Sequence, residues 1–299
     1  MKKPTLVVSN VSNPPDQLGP FKITEGAKTP GRMAVLLWGG FSCGKTTFAA
    51  TAPGDKLWIS FGDNEHTSVQ HRPDVKVMKL FDRPAAEVFK HGQSENPFGL
   101  DAYLAQYRNI ETVVVDSATA ISALALTHVI AKGVGAGNRF YPTIETPGLS
   151  AYGGRNGVTI EVLKGLLQVT AKHNVHIIIT AHEDDPTIIK QDGIEVISHI
   201  SIMLGGKLVN SFSWRLSEIW WMHQDRNGNR HLAIRPTKMR KPMKTRMFSG
   251  KFNPEFTLEY DADKPDDAKG QMTIARWFDE WEDNNWVKIV PPQDKVKDK

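Results

Sequence analysis

Met33-Ala34-Val35-Leu36-Leu37-Trp38-Gly39-Gly40-Phe41-Ser42-Cys43-Gly44-Lys45-Thr46-Thr47 is the stretch whose reading decides the fold. Its first six residues form an apolar run of the length and type of a buried strand. The rest has the spacing G-x-x-x-x-G-K-T of a phosphate-binding P-loop. A glycine-rich turn over Gly39, Gly40, Phe41, Ser42, Cys43 and Gly44 lays successive backbone N–H groups around a β-phosphate. Lys45 reaches the β- and γ-phosphates, and the Thr46 hydroxyl coordinates Mg²⁺. Thr47-Phe48-Ala49-Ala50 suits the helix whose positive N-terminal end completes an anion site.

The 299 residues, 40% of them hydrophobic, suffice to bury a full core in one large domain with appendages. No apolar run approaches the roughly 20 residues of a membrane-spanning helix, and the apolar stretch after Met1-Lys2-Lys3-Pro4 is too short for a secretory signal. A chain outside the membrane and in the cytoplasm is expected, the host's if the chain is phage-encoded. The single cysteine, Cys43, lies in the P-loop, which leaves no intrachain disulfide and no cysteine-based zinc cluster. A net charge of +4 hints at an anionic partner.

The charge is unevenly spread. Residues 230–251 carry eight Lys or Arg and no acid, whereas residues 252–283 carry ten acids against Lys264, Lys269 and Arg276. Three parts are therefore expected: an extended N-terminal arm over 1–30, rich in breakers and with an edge strand at Thr5–Val8; an α/β core over 31–251; and an acidic C-terminal segment over 252–299 ending in a charged tail. In that last segment Ile274, Trp277, Phe278 and Trp281 fall at helical spacing and predict an amphipathic helix docked by its aromatic stripe.

Within the core, strands are predicted at 57–61, 75–80, 112–115 and 175–181, with helices at 85–90, 100–107, 118–131 and 158–173 between them. That alternation implies a mostly parallel sheet covered on both faces. Residues 132–157 hold seven glycines and two prolines and read as a long loop. A polar segment over 184–195 and an apolar run over 196–204 follow. Strands at 216–222 and 231–235, joined through Asp225-Arg226-Asn227-Gly228-Asn229, read as antiparallel.

A P-loop needs a second acid. Asp116, at the end of the Val113-Val114-Val115 run, is placed to hold Mg²⁺ with Thr46, the alternative being a helix cap. Glu65, in Ser60-Phe61-Gly62-Asp63-Asn64-Glu65-His66, is the candidate to polarise the attacking water, with Asp63 as competitor. A solvated loop carboxylate is the other reading of both.

Gly39–Thr47, Phe61-x-Asp63-x-Glu65-His66 and Val114-Val115-Asp116-Ser117 together resemble the RecA recombinase core, in the same order and at compatible spacing. Ile177–His182 is similar to the RecA strand that ends in a γ-phosphate sensor, with His182 where that family usually has glutamine. Gly205-Gly206-Lys207 to Ser213 resembles the motif after the second DNA-binding loop. Among RecA-core proteins the short build is most similar to phage nucleotide-binding proteins of the Sak-type single-strand annealing group. The resemblance covers residues 31–250. It implies ATP and Mg²⁺ as cofactors, Glu65 as catalytic base and His182 as sensor. Lys238-Met239-Arg240 is similar to the Lys-x-Arg finger that RecA-like hexameric helicases insert into a neighbouring subunit's site; a solvated basic hairpin is the alternative.

The family's DNA-binding loops map onto 132–157 and 183–204. The first offers Lys132, Arg139 and Arg155 for phosphates and Phe140, Tyr141 and Tyr152 for base stacking, each stack contributing roughly 1–3 kcal/mol; a lid packed on the core is the alternative. The second is net acidic and a poor phosphate surface. The resemblance thus implies a DNA-stimulated, Mg²⁺-dependent ATPase that binds single-stranded DNA and assembles with itself as ring or filament. Its task would be phage recombination by annealing or strand pairing, with a single-strand-binding protein as a further partner. A helicase, translocase or helicase loader, a non-hydrolysing ATP-clamped oligomer and a small-molecule kinase are the competing classes.

Overall fold

The computed structural model describes residues 17–18, 21–22, 31–132, 148–191, 193–204, 208–237, 240, 242–249, 255–258 and 273–290. Two compact units divide the chain after Gly31. In the first, β1 (Gln17–Leu18) and β2 (Phe21–Lys22) form a short antiparallel pair. The strand expected at Thr5–Val8 lies outside the described residues.

The second unit is built on an eight-stranded sheet. In chain order its elements are β3 (Ala34–Gly39), α1 (Lys45–Ala49), β4 (Asp55–Ser60), β5 (Val75–Lys79), α2 (Ala85–Gly92), α3 (Leu100–Gln106), β6 (Ile110–Asp116), α4 (Ala118–Lys132), α5 (Leu149–Lys172) and β7 (His176–His182). There follow β8 (Thr187–Gln191), β9 (Ile194–His199), α6 (Leu208–Phe212), β10 (Glu218–Gln224), β11 (Arg230–Ala233), β12 (Glu255–Leu258) and α7 (Ile274–Asp283). The strand order is β12-β11-β10-β3-β7-β6-β4-β5. All neighbours from β10 to β5 run parallel, and β10, β11 and β12 pair antiparallel. This is the mostly parallel α/β core with antiparallel C-terminal strands that the sequence implies.

Burial on both faces explains the nearly continuous apolar strands. Leu36, Trp38, Val113, Val115, Ile177 and Ile179 point into one core with Val162, Leu163 and Leu166 of α5. Val35, Leu37, Val114, Ile178, Trp220 and Met222 point into the other, with Phe48 of α1 and Trp277, Phe278 and Trp281 of α7. The expected aromatic stripe of α7 is thus core. Trp277 meets Phe48, Trp220 and Phe248 edge-on at 5.6, 5.9 and 5.3 Å, and the Ile274 N–H is donated to the Thr51 hydroxyl.

Two sequence readings are corrected. Residues 149–157 are not loop: α5 begins at Leu149 and carries Tyr152 and Arg155. Of its glycines in this stretch, Gly154 serves close helix packing, since a Cβ there would stand 2.9 Å from Val129 of α4. The polar 184–195 segment and the run after it form the two-stranded hairpin β8–β9, with Ile188, Ile189, Ile194 and Ile197 exposed. The antiparallel reading of 216–222 with 231–235 holds, since β10 pairs antiparallel with β11; on its other side β10 lies parallel to β3 and extends the parallel sheet. The 225–229 turn is as expected: Asp225 accepts the Asn227 and Asn229 N–H groups at 2.8 and 2.9 Å.

Candidate active site

β3, β4, β6 and β7 end side by side, and the functional side chains stand where they end. In the register Gly39 pairs with His182 and Ser60 with Asp116. Sequence positions far apart therefore meet.

The P-loop leaves β3 at Gly39, where φ is +155° and a Cβ would fall 1.9 Å from the Met222 carbonyl oxygen, so only glycine fits. Gly44, at φ +94°, turns the chain into α1. The buried Lys45 ammonium donates to the carbonyls of Gly39 and Gly40 at 3.0 and 2.6 Å. Among the described residues no carboxylate comes within ion-pair distance of it. A buried cation held only by carbonyls and the Cys43 sulfur, with no carboxylate beside it, fits an anionic ligand. Cys43 is buried beneath the loop, and burial pushes its thiol up, away from reactivity.

Asp116 is buried and surrounded by donors: the hydroxyls of Thr46 and Thr180 and the Trp58 indole N–H, with Thr46 at 3.3 Å. Burial, reinforced by the nearby Glu65 charge, raises its carboxyl to about 6. The capping alternative is answered, because Ser117 Oγ accepts the Ala120 N–H at the start of α4. A buried carboxylate beside a threonine hydroxyl and facing no cation among the described residues suits a hard divalent ion. Thr46 and Asp116 are the residues that would hold Mg²⁺ here, where the ion supplies neutralisation of phosphate charge.

Glu65 is half-buried, and Asp63 is exposed. One Glu65 oxygen accepts the Gly62 N–H at 3.0 Å and the other the Ser117 hydroxyl at 3.0 Å. That second oxygen lies 3.6 Å from His182 Nε2. Base and sensor candidates, 117 positions apart, are thus side by side. His182 is fixed from behind by its N–H donated to Thr119 Oγ1 at 2.9 Å, and the exposed Phe41 ring stacks on it at 4.3 Å. His66, the neighbour of Glu65, is instead buried against Phe81 and Ser60 and acts in packing.

Glu183 escaped the sequence reading. It accepts the Trp221 indole N–H at 3.0 Å, and a Cβ on Gly40 would stand 3.3 Å from its Oε1. Its signal was an acid directly after the sensor candidate His182, hidden among the other acids of that segment. Arg240 lies in its own chain with its guanidinium carbon 3.6 Å over the Trp221 ring. Lys238 lies outside the described residues. Other basic residues of that segment also serve the fold: Lys244 donates to the Leu216 carbonyl and Arg235 to that of Ser249. The buried Glu218 accepts the Arg246 and Met247 N–H groups.

Of the DNA-binding candidates, Lys132 closes α4 and is exposed; Arg139, Phe140 and Tyr141 lie outside the described residues. Tyr152 is 39% exposed, and the Arg155 guanidinium lies 4.9 Å over its ring. Arg155 also donates to the Leu204 carbonyl, next to Met203, whose N–H is donated to the His182 carbonyl.

A family model described as AAA domain matches residues 32–246, the span that holds every site residue above from Gly39 to Arg240. The chain belongs to this AAA domain family. Among curated proteins none matches the chain. Among solved structures the chain is similar to a KaiC-like protein from the hyperthermophilic archaeon Pyrococcus horikoshii, at 17% identity and a TM-score of 0.36, over 77% of this chain and 87% of that one. As an AAA domain with a complete P-loop and a buried acid beside it, the protein is a P-loop ATPase. No helix among the described residues is long and apolar enough to cross a membrane.

Proposed function

We propose that this ATPase binds single-stranded DNA, requires Mg²⁺, and works as an oligomer whose ATP sites are completed between subunits, in phage recombination by annealing or strand pairing. The observation that carries the reading is the link from Arg155 through Leu204 and Met203 to His182. A base stacked on Tyr152 or a phosphate on Arg155 would pull on the segment that holds the sensor, and the sensor touches the base, Glu65.

In this reading Lys45 and the P-loop N–H groups bind the phosphates. Glu65 orients water and takes its proton, His182 donates toward the γ-phosphate, and Arg240, with Lys238, stabilises transition-state charge in the neighbouring subunit. The exposed Phe41 ring, stacked on His182, would shield the sensor candidate from solvent.

The test is ATP turnover by the purified protein with and without single-stranded DNA, beside Lys45→Ala and Arg240→Ala. DNA should raise turnover in the unsubstituted protein, and either substitution should abolish it. Turnover that ignores DNA, with Arg240→Ala silent, would remove both the finger and the nucleic-acid role.

A further inference from the structure

We infer that His223, His231 and Glu255 form a binding site for a divalent transition-metal ion of the Zn²⁺ class, separate from the P-loop. The sheet register builds it. His223 of β10 stands directly opposite His231 of β11, and His231 directly opposite Thr257 of β12. Glu255, two residues before Thr257, shares that face of the sheet. One ligand atom from each of the three residues lies within 4.8 Å of the others.

His223 Nε2 is 3.0 Å and His231 Nδ1 is 4.0 Å from the same Glu255 oxygen. Ligands of a tetrahedral zinc, each about 2.0–2.1 Å from the ion, stand roughly 3.4 Å from one another. The observed separations bracket that value, so small side-chain rotations suffice to close the site. The two imidazole rings already face each other at 4.9 Å and 19°.

The surroundings have the form of an outer shell. Asp225 Oδ2 lies 3.3 Å from His231 Nε2, which places the proton there and leaves the Nδ1 lone pair toward Glu255. Asp225 is itself fixed by the backbone N–H groups of Asn227 and Asn229 and the Asn229 amide. Trp221 stacks on His223 at 4.1 Å and holds its plane. The side chains are 23%, 18% and 38% exposed, open enough for an ion to enter and keep a water as fourth ligand. Two imidazoles and one carboxylate favour Zn²⁺, Co²⁺ or Ni²⁺, whereas Mg²⁺ and Ca²⁺ seek all-oxygen shells. Thr257 Oγ1, 3.3 Å from His231 Nδ1, would turn away as the metal takes that lone pair.

The full-length chain, stripped with EDTA and free of nucleotide, is titrated with Co²⁺ followed by visible absorption and with Zn²⁺ followed by calorimetry and thermal melting. One equivalent should bind, with the intense bands of low-coordinate cobalt, and Zn²⁺ should raise the melting point. His223→Asn and His231→Gln should each weaken binding by at least about tenfold, and Asp225→Asn by about 10–100-fold through the orientation of His231. Metal-free melting of each variant shows whether it folds. Should either histidine variant melt early, Glu255→Gln, which keeps the side-chain shape, decides by the same tenfold loss. Absence of a bound equivalent would overturn the assignment, and so would cobalt binding unchanged in folded variants, which would place the metal on other residues.

Discussion

Asp116 carries the most informative charge in the site. Its carboxyl is raised from an ordinary 3.8 to about 6, so between those values the folded chain holds a proton that the unfolded chain has lost. By linkage the metal-free protein loses stability as pH rises from about 4 through 6, and the loss is complete above that window. A divalent ion must displace the same proton. Mg²⁺-dependent nucleotide binding should therefore weaken roughly tenfold per pH unit below about 6, while nucleotide binding in EDTA stays flat by comparison. Parallel pH profiles with and without Mg²⁺ check this, and superimposable curves would take Asp116 out of the metal site. Glu65 yields a second prediction. Its position 3.6 Å from His182 and its bond to Ser117 favour it over the exposed Asp63 as the proposed base. Glu65→Gln should lower turnover by about 10²–10⁴ with nucleotide affinity nearly unchanged. If the same variant still anneals DNA at full rate, ATP acts as a clamp and hydrolysis is not the working step.

Elements show why part of this site was legible and part was not. The P-loop, Asp116 and the α7 stripe carry their own local patterns: a fixed spacing, a strand-terminal acid, and apolar residues every third or fourth position. The span 132–157 misled because glycine density ordinarily marks a loop. In α5, however, Gly154 lies against Val129, so tertiary packing there overrides the weak intrinsic preference. Pairing direction is a non-local property, and nothing in residues 216–222 states that β10 will lie parallel to β3. Glu183 was missed for the same reason, since its role depends on Trp221 reaching it from β10. The element most open to test is α7. Trp277 is buried against Phe48 of α1, the helix that begins with Lys45 and Thr46. Trp277→Ala should cost about 3–5 kcal/mol in chemical denaturation and weaken nucleotide binding with it. A substitution that leaves the unfolding midpoint in place would mean that α7 is peripheral to the ATPase core.

At the scale of the whole molecule the open question is whether one chain holds a complete site. Lys45, Thr46, Asp116, Glu65 and His182 converge within one chain, but the described residues place no guanidinium among them; Arg240 rests over Trp221, one side chain removed from Glu183. If the proposed finger role holds, a cation resting on its own tryptophan would serve catalysis either by swinging inward or by reaching a neighbour. Mixing two inactive variants separates these. Lys45→Ala chains lack the phosphate lysine but keep the finger, and Arg240→Ala chains keep the lysine but lack the finger. In a head-to-tail assembly with sites between subunits, random mixing in equal amounts rebuilds about a quarter of the interfaces with both groups intact. Turnover should then recover to about that fraction of the unsubstituted rate, and should grow with protein concentration as the assembly forms. If each variant alone is dead and the mixture is equally dead, Arg240 acts within its own chain. The short path through Trp221 and Glu183 to Gly40 would then be the route by which it does so.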